Sequence, residues 1–267
     1  MKQFILPFEV DSDDAEAEKT HTLEGRDFHY LIRVRRGVVG DRIPARSRDG
    51  GRRYEMELLR IDRDACSIRL HPAQPSSAVR ENPLFFEPNI TLIPAVTKGK
   101  KMDLSLRQAV ECGALAVWPF LSRYSQVKFH DEKDLLAKTQ RWERICVEAL
   151  QQCGGVRTTD LSMPKDLEDI LSEWGKRGPL FFLHEKKPDE MTPEKSLHGY
   201  LAEIPEEMAI MVGPEGGLSD DETERLLEFG AHPIYLGNRV LRAETAVVYG
   251  LAAIATIIRE KAAWQSV

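Results

Sequence analysis

The stretch MAIMVGPEGGLSDDETERLLEFGAHPIYLGNRVLRAETAVVYGLAAIATII, residues 208–258, decides the fold. Residues 208–212 form a short apolar run stopped by Gly213 and Pro214, the pattern of a strand buried on both faces. The turn Gly-Pro-Glu-Gly-Gly follows at 213–217. Ser219 with Glu222 three residues later reads as a capping box, Leu226, Leu227 and Phe229 share one side of the helix it opens, and Gly230 closes that helix. A second short strand is expected over 234–236, then the loop 237–242, and from about Glu244 the pattern is helical again. Strand, turn and helix repeated in this way predict an α/β domain with a mostly parallel sheet, in which ligands sit at the carboxyl ends of the strands. Both glycine loops fall there.

Neither loop matches GxGxxG or GxxxxGK[ST]. The helix after the first loop also opens with Asp220, Asp221, Glu222 and Glu224, placing negative charge where a bound phosphate needs the positive end of the helix dipole. A ligand at this turn is therefore neutral or cationic, unless the acids serve only to cap a surface helix. A dehydrogenase reading is weak for the same reasons.

Working outward, residues 90–96 read as the first strand of this domain. Lys98, Lys100 and Lys101 follow, and Met102, Leu106, Ala109 and Val110 mark the face of the next helix. A strand is expected over 115–121, with the exit loop Ser122-Arg123-Tyr124-Ser125 mixing a cation, an aromatic ring and hydroxyls, a composition that serves either binding or an ordinary turn. An amphipathic helix is expected over 139–153, a shorter one within 164–178, a buried strand over 180–183 and a short helix near 197–201. The last helix, roughly 245–261, is apolar nearly all round, so it is buried on all sides, either threading the domain or packing on a second subunit. Ala246, Gly250, Ala252, Ala253 and Ala255 would let another helix approach it closely.

Residues 1–73 differ in character. Short runs at 4–6, 42–45, 54–61 and 67–70 carry β-branched or alternating residues between turn signals such as Asp49-Gly50-Gly51, and a small β-barrel fits best. A helical piece at 28–34 has Arg33, Arg35 and Arg36 beside it. Residues 74–89 are rich in proline and serine and read as a linker, which leaves 90–267 as the α/β domain.

The 267-residue chain is 42% hydrophobic and 30% charged, values of an ordinary globular protein. Its net charge of -6 is unevenly spread: residues 26–69 hold twelve arginines, no lysine and seven acids, about +5, leaving about -11 elsewhere. Arginine without lysine suits phosphate contacts and base stacking, though a solvated β-surface has the same look. The N-terminal apolar run is too short for a signal peptide, and the longest run, 246–258, falls short of the roughly 18 residues of a membrane span. A cytoplasmic protein without membrane contact is expected. Cys66, Cys112, Cys146 and Cys153 lack metal-ligand spacing and read as reduced, buried thiols, so no metal is expected.

The pair VGPEGGLSDDE (212–222) and LGNRVLRAETA (236–246) resembles the signature of the RsmE family, SPOUT-superfamily methyltransferases acting on small-subunit ribosomal RNA. KGKKMDLSLRQAVECGA (98–114) and ERICVEALQQCG (143–154) are similar to the family's basic-loop helix and long amphipathic helix. Asn238 stands where the family usually has proline, and Gln151 where glutamate is frequent. The resemblance implies a SPOUT-type domain with a deep trefoil knot, a PUA-like RNA-binding N-terminal barrel, and transfer of a methyl group from S-adenosylmethionine to N3 of a uridine in 16S rRNA. It implies cofactor contacts from three loops: Leu183 and His184; Val212, Gly213, Glu215, Gly216 and Gly217; and Leu236, Gly237, Asn238, Val240, Leu241 and Ala246. Arg242 and Glu244 are the expected catalytic pair, unless they pair with each other to brace the loops. Arg33, Arg35, Arg36, Lys98, Lys100, Lys101 and Arg123 are the expected RNA contacts, and a homodimer through the C-terminal helix is implied. A SPOUT enzyme with another RNA target, or a non-catalytic RNA-binding assembly factor, is the alternative.

Overall fold

The computed structural model describes residues 3–10, 19–47, 52–73, 87–127, 129–155, 157–184 and 195–264. The turn expected at 49–51, all but the last three residues of the expected linker 74–89, and Glu185 lie outside them. The chain divides into two compact units, Met1–Ala78 with Gln151–Thr158, and Val79–Leu150 with Thr159–Val267.

The first unit is a five-stranded sheet. Its strands are β1 (Phe4–Ile5), β2 (Thr20–Glu24), β3 (Arg42–Arg46), β4 (Arg53–Ile61) and β5 (Ala65–Pro72), in the order β1-β3-β4-β5-β2. Among the described residues only the β1–β3 pair is parallel. Period-two alternation turns Tyr54, Met56 and Leu58 of β4 and Cys66, Ile68 and Leu70 of β5 into a core with Phe4, Leu23, Phe28 and Leu31. β2 escapes sequence reading because it is a polar edge strand in which Leu23 alone is buried. Among the described residues no pairing of β1 with β2 closes the sheet. The helical piece begins as an α-turn, Gly25–Phe28, and continues as a π-helix, His29–Val34.

The second unit is a six-stranded, wholly parallel sheet. It comprises β6 (Ile90–Pro94), β7 (Ala116–Val117), β8 (Asp160–Leu161), β9 (Leu180–Leu183), β10 (Met208–Val212) and β11 (His232–Ile234), in the order β11-β9-β10-β6-β7-β8. Every residue of β6 and β10 is buried, as continuous apolar runs require in a sheet covered on both faces. β7 is shorter than its apolar run because Pro119 has no N–H. The pairing nevertheless resumes around it, Trp118 N–H donating to Leu92 O at 2.8 Å and Phe120 N–H to Pro94 O at 3.0 Å. β11 starts two residues before the expected strand. Pro233 disguised it, and its edge position tolerates a proline.

One face of the sheet packs Ile93, Phe120, Phe182 and Met211 against Ile170, Leu171 and Trp174 of the Leu167–Trp174 helix and Leu226 of the Asp220–Phe229 helix. The other face meets the Ala243–Trp264 helix, which also packs on the Lys100–Glu111 helix. Within the single chain the last helix leaves one stripe exposed, Thr245, Tyr249, Ala252, Thr256 and Glu260 at helical spacing, so it does not thread the middle of the domain. The expectation for Gly250 is corrected, because it serves approach to the sheet rather than to another helix: a Cβ there would lie 2.5 Å from Ile210 Cδ1 and 3.4 Å from Leu183 Cδ1. The Glu132–Cys153 helix begins two turns earlier than its apolar stripe suggests, where Asp131 Oδ1 accepts from Asp134 N–H at 2.7 Å. Leu197–Tyr200 completes the helices.

Among the described residues no helix is long and apolar enough to cross a membrane. Cys66 and Cys146 are buried, but Cys112 is half-buried and Cys153 exposed, so the expectation of four buried thiols fails at these two.

Candidate functional site

The capping box read from sequence is formed. Ser219 Oγ accepts from Glu222 N–H at 3.2 Å, and Glu222 Oε2 accepts from Ser219 N–H at 2.8 Å. Gly230 closes the helix in the left-handed conformation. Glu222 does more than cap. Its carboxylate also accepts from Ser122 Oγ at 3.1 Å and from Arg123 N–H at 2.9 Å, which fastens the β7 exit loop to the helix that follows β10. Arg123 adds an ion pair to Asp221. On the other side of the turn Lys101 Nζ donates to Glu215 Oε1 at 2.5 Å. That bond holds the Glu215 carboxyl below its usual range. The acidic helix start therefore divides its duties, Glu222 to the cap and Asp221 to Arg123.

The carboxyl ends of β9, β10 and β11 enclose a cavity of about 290 Å³. Leu183 and His184 wall it from β9, and Val212, Gly213, Glu215, Gly216 and Gly217 from the glycine turn after β10. From the loop after β11 come Leu236, Gly237, Val240, Leu241 and Ala246. Asn238, expected with them, is not part of the wall. Pro214, Arg239 and Ala243, which lie inside the same loops, also line the cavity, as do Leu218, Ser219 and Asp220 just past the turn and Ile234 before the second loop, which sequence reading did not place there. It named the loop of Tyr124 but not its place here: the ring belongs to the wall although it follows β7, two strands away from β10.

The composition of the wall suits a small molecule that is cationic or zwitterionic. Glu215 and Asp220 supply negative charge, Arg239 a single guanidinium, and the glycine turns leave backbone groups free to approach a ligand. These donors and acceptors fit S-adenosylmethionine, which carries a sulfonium and no phosphate.

Arg242 and Glu244 flank the cavity without lining it. Arg242 is exposed and carries no ion pair among the described residues, so the two do not brace the loops by pairing. Glu244 Oε2 is buried without a hydrogen-bond partner among the described residues. Of the expected RNA contacts, Lys98 and Lys100 are exposed and carry no ion pair among the described residues, whereas Lys101 and Arg123 are committed to Glu215 and Asp221. In the first unit Arg33 and Arg36 are exposed, and Arg35 is half-buried with Nη1 enclosed and, among the described residues, unpartnered. Among the described residues no three His, Cys, Asp or Glu side chains are grouped to hold a metal ion.

Comparison with known proteins gives this geometry its family. The model of the RNA methyltransferase domain matches residues 86–255. A ribosomal RNA small subunit methyltransferase E from Bacillus subtilis is 28% identical over 260 residues, covering 95% of this chain and 96% of its own. The enzyme of that name from Aquifex aeolicus is 35% identical over 162 residues, 60% of this chain and 65% of its own. Among solved structures, a Legionella pneumophila protein in complex with S-adenosylmethionine superposes with a TM-score of 0.80 at 25% identity, over 96% of this chain and 97% of its own. The Neisseria gonorrhoeae small subunit methyltransferase E shares the fold, with a TM-score of 0.79 at 23% identity over 96% of this chain and 98% of its own. The chain belongs to the RNA methyltransferase domain family, in the RsmE group that its two glycine motifs resemble.

Proposed function

We propose that the protein methylates N3 of a uridine in 16S rRNA, using S-adenosylmethionine bound in the cavity at the ends of β9, β10 and β11. The observation that carries this reading is the cavity itself: in a chain of this family, the two motif loops and the end of β9 converge on one acid-bearing, glycine-walled pocket. When bound, S-adenosylmethionine supplies an electrophilic methyl group. The chain's own residues do the rest. N3 lies on the pairing edge of uracil, so the base is accepted unpaired, and its proton must leave before the nitrogen lone pair can react. Arg242, free of ion pairs, is the group that stabilises the charge developing on the ring. Glu244, with a buried oxygen that no described residue satisfies, accepts the proton.

On this reading residues 183–185, 212–217 and 236–246 are the three loops of a deep trefoil knot, and the first unit is a PUA-like RNA-binding barrel. Arg33, Arg35, Arg36, Lys98 and Lys100 meet the RNA, while Lys101 and Arg123 both position the pocket and face the phosphates. The protein works in the cytoplasm as a homodimer joined through the exposed stripe of the Ala243–Trp264 helix.

Reverse-transcription mapping of 16S rRNA from cells with and without the gene tests the assignment. A stop at one uridine is expected to vanish with the gene and return with the intact protein, with N3-methyluridine in the digest. Identical stops would remove the N3 assignment and leave another RNA target, or an assembly role if the chain binds no S-adenosylmethionine. Arg242→Ala is expected to keep cofactor affinity while lowering methyl transfer about 100-fold or more. Full activity in that variant would end the catalytic role of Arg242.

A further inference from the structure

The β7 exit loop puts an aromatic ring where the function just proposed does not yet use one. Tyr124 lines the cavity, is 49% exposed, and its hydroxyl makes no hydrogen bond among the described residues. A free phenol at a pocket mouth is an unusual place to leave a large ring, and here the loop that carries it is held. Ser125 N–H donates to Ser122 O at 2.9 Å, closing the turn, and Glu222 binds both the Ser122 hydroxyl and the Arg123 N–H. The root of the ring rests on the glycine turn: a Cβ at Gly216 would sit 3.3 Å from Tyr124 Cβ and 3.5 Å from its Cγ. Loop and turn are thus locked together, so that binding need not order the loop.

Its origin says what it faces. Among the described residues Tyr124 is the one part of the wall contributed from beyond β6, the side of the sheet that carries Lys98, Lys100, Lys101 and Arg123. Val240, 76% exposed, lines the cavity after β11, which stands two strands from β10 on the opposite side. Tyr124 and Val240 thus bring an aromatic ring and an aliphatic lip to the cavity from opposite sides of β10, the ring on the basic side. Unpaired bases are held in this way, by stacking on rings beside a cationic track for the backbone.

We propose that Tyr124, at the edge of the cavity wall, is the platform on which the unpaired target base of the RNA stacks, and so a substrate-positioning residue. The proposal rests on the methyl-transfer reading above. Its test uses the full chain, unmethylated 16S rRNA and S-adenosylmethionine, with Tyr124→Phe, Tyr124→Leu and Tyr124→Ala. Efficiency is expected to follow the ring rather than the volume: Tyr124→Phe stands well above Tyr124→Leu, and Leu and Ala both lower kcat/KM for RNA about 10-fold or more. The Kd for S-adenosylmethionine, measured calorimetrically without RNA, stays within about 2-fold, as expected for a side chain whose partner is the substrate base. Leucine performing like tyrosine would overturn the proposal. So would a loss of cofactor affinity that matches the loss of kcat/KM, since the ring would then belong to the cofactor. A wild-type chain that binds no cofactor and transfers no methyl group would fail the reading of function itself, an outcome visible before any variant is made.

Discussion

At the scale of single residues, Glu222 is the most heavily used side chain near the cavity, with one buried carboxylate serving three donors. Glu222→Ala leaves all three unmade and is expected to cost about 2–3 kcal/mol in urea unfolding, against about 1 kcal/mol for Ser219→Ala, which removes one half of the capping box. The cap was legible because its partners stand three residues apart; the bonds to Ser122 and Arg123 were not, since only the folded sheet brings those residues near. The Lys101–Glu215 bond has a pH signature. Hydrogen bonding from Lys101 lowers the carboxyl from its ordinary 4.5, so its stabilisation is present above that value and is lost as pH falls through the folded one. Both side chains are more than a third exposed, which limits the effect to about 1 kcal/mol or less. Thermal melts should show Lys101→Met less stable than wild type at pH 6, with the gap closing as the pH drops below about 4.5. Burial pushes the Cys146 thiol up to about 12 and also raises those of Cys66 and Cys112. Iodoacetamide at pH 8 followed by peptide mass spectrometry should therefore label exposed Cys153 first and Cys146 only on unfolding.

At the scale of elements, the Ala243–Trp264 helix is set by how closely it lies on the sheet. Gly250→Ala would drive a methyl into Ile210 Cδ1 on β10, at an expected cost of about 1–3 kcal/mol, and Ile210→Val in the same chain should return part of it. Denaturation of the two single variants and the double variant checks this, additivity being the result that would refute the close approach. The same elements show what the sequence could carry. β6, β9 and β10 were readable as unbroken apolar runs, since a strand covered on both faces has no alternation to lose. β2 and β8 were not, because an edge strand with one face in water is written in polar residues that look like loop. The cavity was legible to the extent that it is local, in two glycine loops, and illegible where a distant strand end completes it, as at Tyr124.

At the scale of the whole molecule, charge is partitioned: an arginine-rich first unit in an otherwise acidic chain, with Lys98 and Lys100 exposed and without an ion pair among the described residues, next in sequence to the Lys101 that binds Glu215. If these cations meet phosphate, Lys98→Glu with Lys100→Glu should weaken binding to 16S rRNA and flatten the dependence of log K on log salt by about 0.7 or more for each phosphate no longer neutralised. An unchanged slope in filter binding would count against them. The order of the sheet has a further consequence, in time rather than in space. β10 is the centre of the second unit, yet β6, its neighbour, is synthesised long before it. At about 5–20 residues per second, β6 leaves the ribosome with one edge bare for roughly 5–25 s before its partner is translated. During that interval the nascent chain presents an apolar, unpaired strand of the kind that chaperones hold and aggregates recruit. The strand that builds the pocket is also the one whose arrival ends the period in which this chain is most exposed to misassembly.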